Sequence, residues 1–352
     1  MLRKKGNVYK IDTPKTTLIF GMDAAMLYYG KRLTVPVPDY DFLRGNGKKR
    51  NEDKRPSFEF APEVVCSFSD GSFSPHFSFL RARPADKPLS PLPSSYSDSD
   101  EKNASQTLCF EFADETVKLK LFVYYTVFDD SDVVCASCRL LNGGKREVGI
   151  KKFPSLCLKI YGRDFSFVTF EEKEGKTYRY SAAARGGCIL SNGGTEYSSR
   201  SFSSCVLLEK AGHVYAFDLV TAGAFEENVQ TGDSTRISVF APSDRRLAPG
   251  ESAFSAEALM PYAETAEEAR RPCALFRGNI SRAEKRRENF VPRPFGFAGR
   301  KRFRTIFPSQ SDNGRGQGRN YLCSKGLLLR NSFVRIRRKK YPHSRKPCGK
   351  RE

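Results

Sequence analysis

From residue 5 to about residue 260 the chain repeats one pattern: a short apolar run with a period of two, a turn, then another run. Side chains of an extended strand point alternately to two faces, so this period commits the segment to β structure. The clearest runs are 16–20, 118–127, 133–141, 157–160, 165–170, 205–208, 215–219 and 235–240. Within Val117-Lys118-Leu119-Lys120-Leu121, apolar and charged residues alternate as in a half-buried strand. Turn chemistry separates the runs at Asp70-Gly71, Asn142-Gly143-Gly144, Asn192-Gly193-Gly194 and Pro249-Gly250. Only two short helices are expected, over 23–29 and 263–271. Many strands without alternating helices predict an all-β chain, a large antiparallel β-supersandwich followed by an irregular basic tail.

The formal charge of +20 suggests a nucleic-acid partner until it is located. Residues 284–352 hold 21 Lys and Arg against 4 Asp and Glu, whereas residues 1–283 hold 39 against 36. The body is therefore nearly neutral and the basicity belongs to the tail. Nothing after Met1-Leu2-Arg3-Lys4-Lys5 resembles the apolar core of a signal peptide, and no run approaches the roughly 20 apolar residues of a membrane span. With ten scattered cysteines, this predicts a cytoplasmic protein with reduced thiols and no membrane contact.

No catalytic constellation stands out. Asp129-Asp130 with Asp132 forms an acidic cluster, better read as a solvated hairpin turn than as paired carboxylates. Cys135 and Cys138 have redox or zinc spacing but sit in an expected strand, where residues three apart face opposite sides. His76, His213 and His343 are dispersed, and Ser191, Ser198 and Ser199 lack a nearby base. No metal and no cofactor is expected. Tyr28, Tyr29 and Phe42 could face a sugar, although core packing is the commoner fate of such residues.

One set of segments carries more. Leu27-Tyr28-Tyr29-Gly30-Lys31-Arg32-Leu33, Pro62-Glu63-Val64 with Ser69-Asp70-Gly71-Ser72, and Lys87-Pro88-Leu89 with Leu92-Pro93 follow in order. Then come Tyr124-Tyr125-Thr126-Val127-Phe128, Asp132-Val133-Val134, Arg139 to Asn142, Ile189-Leu190-Ser191, Thr235-Arg236-Ile237 and Leu247-Ala248-Pro249-Gly250-Glu251. In this order they resemble the amino-terminal domain of glycoside hydrolase family 36. The chain departs from that pattern at Thr221-Ala222-Gly223-Ala224-Phe225, at Phe254-Ser255-Ala256-Glu257, and in having no tryptophan, with Arg246 where one is usual.

The resemblance implies a β-sandwich domain over residues 1–283 of an α-galactosidase. Such an enzyme is a retaining hydrolase of terminal α-galactosides such as raffinose or melibiose, assembled as a homo-oligomer. It further implies that loops of this domain approach a neighbouring subunit's active site, which makes Asp41 and Arg44 the expected substrate-binding residues. The family's catalytic barrel would begin near residue 285, and its Trp-Glu and Lys-Trp-Asp segments do not occur in residues 284–352. The chain is thus expected to be inactive alone. A change of reading frame near residue 284 accounts best for the tail, ahead of a nucleic-acid arm or a solvated appendage. A non-catalytic sugar-binding or structural module is the alternative reading.

Overall fold

A computed structural model describes residues 1–34, 63–88, 90, 92, 105–129, 131–173, 176–184, 188–192, 203–221, 224–231, 234–241 and 244–276. They build four antiparallel sheets. The first has the order β1 (Leu2–Lys5), β2 (Val8–Asp12), β3 (Thr16–Gly21), β4 (Met26–Lys31). A ten-stranded sheet runs β14 (Lys176–Ala183), β13 (Ser166–Lys173), β16 (Cys205–Lys210), β17 (His213–Val220), β22 (Glu257–Ala263), β10 (Val133–Asn142), β9 (Leu119–Phe128), β8 (Ser105–Asp114), β7 (Ser78–Ala85). In it β21 (Ser252–Phe254) also pairs with β10. The third is β20 (Arg246–Leu247), β11 (Val148–Lys152), β5 (Val65–Phe68), β6 (Gly71–Phe73), and the fourth is β12 (Pro154–Ile160), β19 (Thr235–Phe240), β18 (Phe225–Thr231), β15 (Cys188–Asn192).

One continuous core joins them. It takes Ile11, Leu18 and Phe20 from the first sheet, Phe110, Leu121 and Phe217 from the large one, Ile150 from the third and Ile237 from the fourth. One face of the large sheet therefore packs against the three smaller sheets, which is the expected supersandwich. The opposite face carries a second apolar cluster under a helix over residues 266–276.

Local chemistry explains where expectation and structure part. Residues 23–29 form a turn and strand rather than a helix. Ala24 is left-handed at φ 64°, Asp23 accepts a hydrogen bond from the Ala25 amide (3.3 Å), and Gly21 donates to the Ala25 carbonyl (2.7 Å), which closes a hairpin. Lys118 also lies outside its expected strand. Its φ is 58°, and Asp114 accepts the Thr116 (2.9 Å) and Val117 (3.3 Å) amides, so β9 starts only at Leu119. The second helix begins three residues later than expected. Thr265 accepts the Glu268 amide (3.3 Å) in a Thr-x-x-Glu cap, and Ala263 still belongs to β22. The turn at Asn142-Gly143-Gly144 is as expected. The Asn142 side chain donates to the Arg146 (2.8 Å) and Leu247 (3.0 Å) carbonyls and accepts the Gly144 amide (3.0 Å).

Candidate functional site

A cleft of about 630 Å³ lies at the end of β1 to β4, next to the β9–β10 turn. Arg3, Lys5, Lys10 and Arg32 face it, with Asp12 and Asp129. The sequence builds its floor through the hairpins. Lys10 and Asp12 alternate with Tyr9 and Ile11 on β2, so apolar side chains enter the core while the charged pair faces the cleft. The Lys10 ammonium lies 3.1 Å from the Asp12 carboxylate and donates to the Leu33 carbonyl (3.0 Å). Asp12 also accepts from the Thr17 hydroxyl (2.6 Å), and that hydroxyl accepts the Leu33 amide (3.0 Å). The network pins the chain as it leaves the sheet at Leu33 and Thr34.

Each candidate from the sequence can now be placed. Asp41, Arg44 and Phe42 lie outside the described residues, as do Ser198, Ser199, Asp130, His343 and the tail from 284 to 352. Tyr29 is a core residue. It is 7% exposed, donates to the Met260 carbonyl (3.0 Å) and packs edge-on against Tyr215 at 5.0 Å. Burial pushes its phenol well above the ordinary tyrosine range. Tyr28 is turned onto the Lys31 carbonyl (2.8 Å). Neither presents a ring to the cleft.

Asp132 is a turn residue, accepting from the Thr13 hydroxyl (2.9 Å) and the Lys15 amide (2.5 Å). His213 shares a 2.7 Å hydrogen bond with the Tyr262 hydroxyl. Cys135 and Cys138 sit on opposite faces of β10, Cys135 in the cluster under the helix and Cys138 in the main core. They do not form a chelating pair.

None of the eight described cysteines forms a disulfide, and all are buried. Burial pushes the Cys66 thiol up to about 12 and, with help from Glu111, the Cys109 thiol up to about 11. Both stay protonated near neutrality. They are expected to resist iodoacetamide in the native protein and to react once it is unfolded, as peptide mapping of the alkylated chain would show. Rapid native modification of either would contradict the packing.

Ligating side chains do converge in one place that residue spacing could not reveal. The ligand atoms of Cys205, Asp218 and Cys273 lie within 4.8 Å of one another, and all three residues are buried. Cys205 and Asp218 are direct cross-strand partners between β16 and β17, and Cys273 comes from the helix. The separations of 13 and 55 residues match no metal-binding motif. The register of β16 on β17 and the docking of the helix bring them together.

Residues 23–173 match the model of the glycosyl hydrolase family 36 N-terminal domain. The chain carries that domain. It is 25% identical over 234 residues to alpha-galactosidase 2 of Hypocrea jecorina, a match covering 61% of this chain and 30% of that protein. The solved alpha-galactosidase of Lactobacillus brevis superposes with a TM-score of 0.64 at 21% identity, covering 76% of this chain and 41% of that one. A variant of the family 36 alpha-galactosidase AgaA of Geobacillus stearothermophilus, solved with raffinose, gives 0.60 at 18% identity, covering 73% and 41%. These likenesses fix the fold beyond residue 173. The family 36 domain here spans less than half the length of each relative. Among the described residues no helix is long and apolar enough to cross a membrane.

Proposed function

We propose that this chain serves as the amino-terminal β domain of an α-galactosidase-like retaining hydrolase and does not turn over α-galactosides by itself. The observation that carries this reading is the family 36 N-terminal match over residues 23–173, within a fold shared over 76% of the chain. A retaining glycosidase needs two carboxylates about 5–5.5 Å apart on either side of the scissile bond. Of the two carboxylates that face the described cleft, Asp12 is engaged by Lys10 and Thr17, and Asp132 beside it is held by Thr13 and Lys15. In this reading the barrel that supplies the chemistry belongs to another segment or chain. Residues 284–352 are then a basic tail that arises from a change of frame. Re-reading the nucleotide sequence past codon 284 in the other two frames tests that part, with Trp-Glu and Lys-Trp-Asp segments as the expected result.

Asp41 and Arg44 follow Thr34, at the rim of the cleft, by seven and ten residues. We assign them to substrate contact in the assembled homo-oligomer, with α-galactosides such as raffinose as ligands. Buried cysteines without disulfides, among the described residues, support a cytoplasmic location. Calorimetric titration of the purified chain with raffinose tests the reading. No saturable heat is expected. Saturable binding, weakened by Asp41→Asn or Arg44→Gln, would instead make the chain a sugar-binding module.

A further inference from the structure

The helix over residues 266–276 lies across β16, β17, β22 and β10, and the layer beneath it is almost wholly apolar. Phe128, Val168, Phe170, Leu207, Ala216 and Leu259 belong to it. Into this layer the chain places a carboxylate and two thiols. Asp218 is 1% exposed, Cys273 2% and Cys205 5%. A carboxylate in such surroundings costs several kcal/mol unless it is hydrogen-bonded and its charge is balanced. The Ser204 hydroxyl lies 3.0 Å from the Asp218 carboxylate and 3.1 Å from the Leu219 carbonyl and shares its one proton between them. This fixes the carboxylate in the way that outer partners hold metal-ligating carboxylates. The helix is anchored over the cluster by Arg270, whose guanidinium sits 3.7 Å from the Phe170 ring centroid, and by Phe276 against Phe128 at 5.4 Å. Ala269, one turn before Cys273, is fully buried, so that helical face is the one turned to the sheet.

We propose that Cys205, Asp218 and Cys273 form a zinc site that clamps the helix to the large sheet. The donor set is two soft sulfurs and one carboxylate oxygen, which suits Zn²⁺ and not Mg²⁺ or Ca²⁺. Zinc–sulfur bonds of about 2.3 Å and zinc–oxygen bonds of about 2.0 Å place tetrahedral ligand atoms roughly 3.5–3.8 Å apart. The three atoms, within 4.8 Å of one another, need only close by about 1 Å. Binding releases the two thiol protons to solvent and sets the dication against both thiolates and the carboxylate. Water takes the fourth position, and Ser204 is the positioning residue.

The test uses the tag-free full chain carrying C323S and C348S, which removes the two thiols outside the described residues. It is equilibrated with Zn²⁺, dialysed against metal-free buffer and analysed for metal. One zinc per chain is expected, falling towards none when C205S, C273S or D218N is added. Equilibration with Co²⁺ in place of zinc should give a thiolate-to-cobalt charge-transfer band. That band decides the matter even if the added substitutions impair folding. Absence of the band, or zinc retained undiminished in folded C205S and C273S, would overturn the proposal.

Discussion

Glu257→Ala is expected to lower the unfolding free energy by about 3–5 kcal/mol, the usual cost of stranding one member of a buried ion pair. Glu257 opens β22, which lies between β17 and β10 in the middle of the large sheet. Its carboxylate lies 2.6 Å from the Lys87 ammonium, with the two side chains 2% and 4% exposed. The ammonium is also 5.7 Å from the centroid of the Phe128 ring, a contact that favours the cation but cannot replace its counter-ion. Truncating Glu257 leaves that charge buried without the carboxylate. Replacing both partners by apolar residues of similar volume, Lys87→Met with Glu257→Leu, removes the charge as well as the pair and is expected to recover most of the loss. Urea unfolding of both variants followed by circular dichroism would measure it. A loss under about 1 kcal/mol for Glu257→Ala would show that the pair is solvated.

A similar loss, about 3–5 kcal/mol, is expected for Phe20→Ala. Phe20 is 1% exposed on β3 and packs on Phe110 at 5.2 Å and Tyr125 at 4.7 Å between ring centroids. It thereby locks the amino-terminal sheet onto β8 and β9. Its removal leaves a cavity between two sheets whose backbones are held by their own ladders, so little collapse can compensate. The unfolding transition should remain single, because one core joins all four sheets. A second, earlier transition in the variant would mean that the amino-terminal sheet is an independent unit.

The strands that period-two alternation reveals are those with one face in the core. Residues 235–240 coincide with β19, because Ile237 and Val239 point inward from a strand bounded by turns. The boundaries it misses are set by single backbone conformations. Ala24 and Lys118 are left-handed without being glycine, and the hydrogen bonds that tolerate this come from Asp23 and Asp114. Those aspartates are visible in the sequence, but they are two of eighteen, and nothing local marks them out. Lys87-Pro88 was legible as a family-like turn, whereas its burial against Glu257 depends on a contact spanning 170 residues. The separation of Cys135 from Cys138 followed from strand geometry alone. The meeting of Cys205, Asp218 and Cys273 did not, since it needs a strand register and a helix docking that no local pattern encodes.

The central claim is that a folded family 36 amino-terminal domain is present here without the groups that cleave the glycosidic bond. The most direct measurement is hydrolysis of a chromogenic aryl α-galactoside by the purified chain, run beside its thermal unfolding curve. A cooperative melt with no turnover above the buffer rate is the predicted result. Saturable turnover that tracks the folded fraction of the chain would contradict it.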